Sequence, residues 1–311
     1  MQGKIIYKTE YLSVTDEEKL AIHQIQVESQ TATNRPVVLM LHGAIENSKI
    51  FFSRSGKGLA PFLARHGYCV YALDFRGRGD SIPAIAKGSS VTQLELIEQD
   101  IPLTINHLWE RHNCQPMAIV AHSWGGVMMS AALVRDSSLK AKISSLSYFV
   151  TKRSVGALTP EAILKVHIVW NRLAFYFTKR DGFLAAKKIG MGSDNETVRT
   201  HSDSVFWVKH LNKWIDPSDH FDYKAAFKDF AHPPLLSITG ASDKALGHPK
   251  DCQRFLNEIS SGTLKVTIIG KKTGYPIDYD HINLLTHSSA PDSHFPVVLD
   301  HIKRHESGES L

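Results

Sequence analysis

Three short runs dictate what this chain can fold into. VVLMLHG (37–43), CVYALD (69–74) and MAIVAHS (117–123) are almost uninterrupted by polar side chains. A strand with one wet face alternates apolar and polar residues. An unbroken apolar run of this length therefore reads as a strand buried on both faces. Each run is followed by a segment of helical spacing: GLAPFLARHGY closed by Gly67, residues 91–112 with Pro102 as an expected kink, and WGGVMMSAALVRD. ISSLSYFV (143–150) is a fourth such strand, and residues 4–8 and 20–27 alternate in a way that suits two earlier ones. Strands alternating with helices specify an α/β fold around a mostly parallel sheet.

The alternation stops at Thr151. From there to about Phe230 the chain is aromatic-rich, polar, and helical where it is periodic, most strongly in VWNRLAFYF and VFWVKHLNKWI. It resumes with PLLSITG (234–240), the helix PKDCQRFLNEI, the strand LKVTIIG (264–270) and a last helix FPVVLDHIKRH, after which the tail ESGESL is expected to fray. Residues 1–150 and 231–311 thus form one core, and residues 151–230 are an insertion between two strands of its sheet.

A serine stands where the third run meets its helix, in VAHSWGG. To attack a carbonyl, a hydroxyl needs a base within reach and donors where an oxyanion forms. A sharp strand-to-helix turn provides both, because it lifts the side chain off the sheet and aims the helix N-terminus at the reacting atom. The turn needs small neighbours; Ala121 occupies the first glycine position of G-x-S-x-G and Gly125 keeps the second. The competing reading is an N-cap serine with glycines for close packing. At the end of the first run, His42-Gly43-Ala44 can present a backbone N–H over the same sheet edge. Ala44 is the candidate and Ile45 the second choice, to be paired with the Trp124 amide as an oxyanion hole. His42 itself reads as structural.

The base must come from a loop after the last strand, where YDHINLLTH offers His281 and His287. His281 is preferred, because it directly precedes the apolar INLL, whereas His287 caps or faces solvent. The acid must come from another strand end. Asp243 lies just beyond PLLSITG, the loop after ISSLSYFV holds no carboxylate, and Asp278 and Asp280 are too close in sequence to orient the His281 ring. Its bland alternative is a turn aspartate. The order Ser123, Asp243, His281 is that of one known triad arrangement.

With these residues in hand, the chain resembles the α/β-hydrolase-fold enzymes, above all the branch of monoacylglycerol lipases and lysophospholipase-like esterases. The resemblance rests on His42-Gly43-Ala44, the segment DFRGRGDS (74–81), Ala121-His122-Ser123-Trp124-Gly125-Gly126, Asp243 and His281. It implies about eight strands, a helical cap inserted after the sixth, and neither metal nor organic cofactor. It also gives DFRGRGDS a structural role framing the site entrance. That segment lacks the Lys-Ser/Thr of a phosphate loop.

The expected activity is hydrolysis of short- to medium-chain acyl esters or monoacylglycerol-like lipids through an acyl-enzyme. A thioesterase, a lactonase, a carbon–carbon bond hydrolase or a ligand-binding module with little turnover would use the same residues. Of the aromatics in the insertion, most are expected to pack it onto the core, and Trp170 and Trp207 are the first choices for lining a substrate pocket. The histidines show no metal-ligand spacing. A net charge of +5 is too small and dispersed to imply a nucleic-acid partner. Three widely spaced cysteines read as free thiols. The first twenty residues contain no apolar signal core and no run reaches a transmembrane length, so the expectation is a cytoplasmic protein without stable membrane insertion, acting on a small-molecule acyl ester. Asn195-Glu196-Thr197 matches a glycosylation acceptor that such a location leaves unused.

Overall fold

A computed structural model describes residues 3–28, 35–260 and 263–306. Ten strands are present among the described residues: β1 (Ile5–Ser13), β2 (Lys19–Val27), β3 (Val37–Leu41), β4 (Cys69–Asp74), β5 (Met117–His122), β6 (Ile143–Phe149), β7 (Phe183–Leu184), β8 (Glu196–Thr197), β9 (Leu235–Gly240) and β10 (Val266–Ile269). Eight of them form one sheet in the order β1-β2-β4-β3-β5-β6-β9-β10. β2 runs antiparallel to β1 and β4, and every other pairing is parallel. This is the α/β-hydrolase arrangement that the sequence implies.

The apolar runs are buried along their whole length because helices cover both sheet faces. Successive side chains point to opposite faces. Leu39, Leu41, Tyr71, Leu73 and Ile119 enter one core with the helices Ile101–Arg111, Trp124–Arg135 and Pro249–Ile259. Val38, Met40, Val70, Ala72 and Val120 enter the other with Leu59–Arg65 and Phe295–His305.

Local expectations are refined in two places. β1 runs on to Ser13 because it pairs with β2 along its full length, with Ser13 opposite Lys19. Pro102 lies inside one unbroken helical stretch, residues 93–111, directly after Leu96–Asp100, which is wound with wider π-type turns. The wider turns fall where the proline removes a helical donor. Of the tail expected to fray, residues 307–311 lie outside the described residues.

Between β6 and β9 the chain forms a long helix through Ile163–Ala174 and Phe175–Asp181, the hairpin β7–β8, and the helix Val198–Lys209. That last helix stops short of the expected VFWVKHLNKWI because the chain turns back after it. The Trp207 Nε1–H donates to the Ile215 carbonyl at 2.9 Å. Trp207 is therefore not a pocket residue, and the expectation for it is corrected. It is fully buried, with ring centroids 5.6 Å from Trp214, 5.1 Å from Tyr223 and 6.0 Å from Trp124. A helical period gives the face of a residue but not the neighbour that covers it. No helix among the described residues is long and apolar enough to cross a membrane.

Trp207 staples the inserted segment to the core, so Trp207→Ala is expected to lower the unfolding free energy by about 3–5 kcal/mol. Urea unfolding followed by circular dichroism measures this. A loss below about 1 kcal/mol would place the anchor elsewhere in the segment.

Candidate active site

β5 ends at His122 and the next helix begins at Trp124, so Ser123 makes the whole turn alone. It adopts φ 51° and ψ −118°. Positive φ is costly for any residue with a Cβ and persists only where the surroundings impose it. Here the Ser123 N–H donates to the Phe149 carbonyl at 2.8 Å, and the Gly126 N–H reaches back to the Ser123 carbonyl at 3.2 Å. The helix start is pressed against β3: a Cβ on Gly125 would stand 2.5 Å from the His42 carbonyl oxygen. Ala121, in the first small position, is fully buried.

The Ser123 hydroxyl lies 3.1 Å from His281 Nε2, and His281 Nδ1 lies 2.7 Å from Asp243 Oδ2. The carboxylate can only accept, so the Nδ1–H donates to it and Nε2 is free to accept from Ser123. The loops that carry Asp243 and His281 are tied together, since the Ser242 N–H donates to the Tyr279 carbonyl at 2.9 Å. Asp243 Oδ1 accepts from the amides of Leu246 at 2.9 Å and Ala245 at 3.3 Å. Burial alone would raise the Asp243 carboxyl, but His281 and the loop amides outweigh it and hold the group well below the usual carboxylate range. Asp278 and Asp280 do not contact the His281 ring. Asp278 accepts from the Lys271 N–H, and Asp280 from those of Ile282 and Asn283. His287 closes its own turn against Ser289.

Three consecutive amides follow His42. The Gly43 N–H donates to Glu46 Oε2 at 3.0 Å and the Ile45 N–H to Glu196 Oε1 at 2.8 Å. The Ala44 N–H between them has no partner among the described residues. Trp124 opens its helix, where an amide has no carbonyl one turn behind it. Ala44, Trp124, Ser123 and His281 all line one cavity of about 670 Å³. Trp170 also lines it, with its ring edge-on to His201 at 4.6 Å. His42 bonds the Gly43 carbonyl at 2.8 Å and receives the Phe75 N–H at 3.2 Å, fully buried.

Sequence reasoning missed the residues that hold these groups. His122 Nδ1 lies 2.7 Å from Glu46 Oε2, and His122 Nε2 lies 3.0 Å from the His281 carbonyl oxygen. Both partners are acceptors only, so the buried imidazole carries both protons and is a cation. Burial opposes that charge, but the Glu46 carboxylate prevails and raises the His122 pKa; burial likewise works against ionised Glu46, whose pKa His122 lowers. The signal was a histidine inside an apolar strand end and a glutamate inside a buried turn, each of which needs a partner. Glu196 comes from the inserted segment. Besides Ile45 it binds Arg78 of DFRGRGDS and Thr200. In the same segment Asp74 receives the amides of Ser48 and Asp80 and bonds His23, which gives that loop a structural role. The Thr197 hydroxyl of the Asn195-Glu196-Thr197 triplet is buried on the Val91 carbonyl.

Two clusters bring three possible metal ligands within 4.8 Å: Glu46, His122 and His281, and His23, Asp74 and Asp80. In both, the imidazole nitrogens are taken by the hydrogen bonds already described or, for His23 Nδ1, by Thr9 at 3.0 Å. All three cysteines are free.

A family model described as serine aminopeptidase, S33 (Hydrolase_4), matches residues 32–214. Among solved structures, a soluble variant of monoglyceride lipase from Saccharomyces cerevisiae, bound to a substrate analogue, is 16% identical. The match covers 97% of this chain and 96% of that one, with a TM-score of 0.66. The α/β hydrolase GrgF from Penicillium sp. sh18 is 15% identical over 97% of this chain and 99% of its own, with a TM-score of 0.61. A thermophilic esterase from Thermogutta terrifontis is 14% identical over 98% of this chain and all of its own, with a TM-score of 0.57. At these identities the likeness is one of fold. Matched over more than half its length, the chain belongs to the Hydrolase_4 family of α/β hydrolases, described as serine aminopeptidase, S33.

Proposed function

We propose that the protein is a serine esterase that cleaves short- to medium-chain acyl esters or monoacylglycerol-like lipids. The observation that carries this reading is the hydrogen-bonded chain from Ser123 through His281 to Asp243, opening on a cavity walled by Val166, Val169 and Trp170. The Ser123 oxygen attacks the acyl carbon while its proton passes to His281 Nε2. Asp243 stabilises the resulting imidazolium. The carbonyl oxygen, now an anion, is held by the Ala44 and Trp124 amides, the latter with the positive end of its helix behind it. Collapse of the intermediate expels the alcohol, which takes the proton from His281. A water deprotonated by His281 then frees the acid and restores Ser123. Residues 151–230 act as a cap that shapes the acyl pocket.

An aminopeptidase, the activity in the family's description, must hold an α-ammonium. The only carboxylate on this cavity wall among the described residues is Glu46, and it is engaged by Gly43 and His122. That favours ester over amino-terminal peptide substrates. p-Nitrophenyl esters of increasing chain length, assayed beside an acyl-thioester and amino-acid p-nitroanilides, test the reading.

Ser123→Ala is expected to abolish esterase turnover and fluorophosphonate labelling while changing stability by no more than about 1 kcal/mol. Asp243→Asn is expected to lower kcat by about 10⁴, the scale measured in a well-studied serine triad, and Asp280→Asn far less. A crippling Asp280→Asn would move the acid to that residue.

Trp170→Ala is expected to reduce kcat/KM for long acyl chains more than for acetate, with up to about 0.8 kcal/mol at stake per buried methylene. Equal losses at every length in a folded variant would restrict Trp170 to packing.

The Glu46–His122 pair predicts a pH signature. His122 titrates higher in the folded state, so its contribution is complete below its unfolded pKa of about 6.5 and is lost as pH rises through the folded value. Glu46 titrates lower, so its contribution is lost as pH falls below the ordinary carboxylate range. Between pH 6 and 9, wild type should therefore lose more stability than Glu46→Gln, which is itself destabilised by about 3 kcal/mol or more at pH 6. Parallel urea-unfolding profiles of the two proteins would mean that the pair is not ionised.

A further inference from the structure

Lys152 is a lysine that the fold nearly buries. It is 8% exposed and lines the cavity that contains Ser123 and His281. Among the described residues it has no hydrogen-bond or ion-pair partner. Its place is set by the sheet. It follows β6, whose Phe149 pairs with His122, and a Cβ on Gly126 would touch the side chain of the preceding Thr151. The loop after β6 is thus locked against the elbow helix, and Lys152 is held beside the triad. An ammonium in such a place is penalised for lost hydration, and burial does pull its pKa down, against the opposing pull of Asp243. The rest of the wall offers no relief. Glu46 is engaged elsewhere, and the other charged residues on it, Lys49 and Lys165, are again lysines. The wall thus carries three lysines and one engaged carboxylate, and it is apolar along Val166, Val169 and Trp170.

We propose that the ester taken by this cavity carries a compact anionic oxygen group, a carboxylate or a phosphate monoester, seated on the Lys152 ammonium while the scissile carbonyl lies between Ser123 and the Ala44 and Trp124 amides. This rests on the serine-esterase reading above and names its substrate class. Lys152 supplies the positive charge on the wall shared with Ser123 and His281, and Lys165, exposed on the helix Ile163–Ala174, draws the anion inward. An anion that reaches Lys152 satisfies a donor that otherwise has no partner, so the gain is specific to the charged substrate.

The test uses the full chain and two matched pairs. Mono(p-nitrophenyl) glutarate against p-nitrophenyl pentanoate places the anion on the acyl side as a carboxylate. A 1-acylglycerol 3-phosphate against the 1-monoacylglycerol of the same chain places it on the alcohol side as a phosphate. In at least one pair, kcat/KM is expected to favour the anion by about tenfold or more, the scale of one charge-assisted hydrogen bond. Lys152→Met is expected to erase that preference and Lys152→Arg to keep part of it. Should Lys152→Met fail to fold, the wild-type ratios and Lys152→Arg carry the test. Turnover of neutral esters with no anion preference in either pair overturns the proposal alone. So does an equal loss on both members of a pair in a folded Lys152→Met, the behaviour of a lysine that merely balances Asp243. No turnover of any ester, with no fluorophosphonate label on Ser123, overturns the esterase reading and this proposal with it.

Discussion

One carboxylate joins three of the chain segments that meet at the site. Glu46 Oε2 accepts the Gly43 N–H from the turn after β3 and the Nδ1–H of His122 at the end of β5. His122 then donates its second proton to the backbone carbonyl of His281 on the loop after β10. The turn after β3, the strained Ser123 and His281 are thereby fixed to one another through a single buried ion pair. Such a pair contributes little net stability, since the desolvation of two charges offsets most of their attraction. Its value is geometric. Moving any one segment would leave a charge without its partner in a dry interior.

The positive φ of Ser123 becomes understandable in that setting. The strain of the turn is sustained by contacts on every side: the Phe149 carbonyl from β6, the backbone of β3 against Gly125, and the side chain of Thr151 against Gly126. A glycine is needed at 125 because a neighbouring backbone, not a movable side chain, occupies the space where a Cβ would stand. At 121 the strand needs only a small buried residue, and alanine serves.

The parts of this arrangement that were legible in the sequence are those fixed by local periodicity and strand ends. The apolar runs 37–43, 69–74 and 117–123 became β3, β4 and β5, and the residues chosen at the ends of β5, β9 and β10, Ser123, Asp243 and His281, lie in hydrogen-bond contact. What escaped depends on pairing across long stretches of chain. Glu46 and His122 are 76 residues apart, and Ile45 and Glu196 are 151 apart. No spacing rule connects them. Only the requirement that a buried charge find a partner points to such pairs, and it does not say which partner. Trp207 failed for a related reason. Its helical face was readable, but the return of Trp214 and Ile215 onto that face was not.

The inserted segment is more than a roof over the cavity. Glu196, the first residue of the short hairpin strand β8, accepts the Ile45 N–H and pairs with Arg78, which in turn belongs to the loop after β4. Asp194, two residues earlier, receives the side-chain amide of Asn47 and the backbone N–H of Gly79, each at 2.7 Å. The turn that presents the Ala44 amide is therefore clamped from one side by Glu46 of the core and from the other by carboxylates of the insertion. With Gly43 and Ile45 both committed, the amide between them has little freedom to rotate away from the cavity. A donor set in advance costs no reorganisation when charge develops on the reacting oxygen. The inserted segment and the turn that carries the Ala44 amide are in this way mechanically one unit.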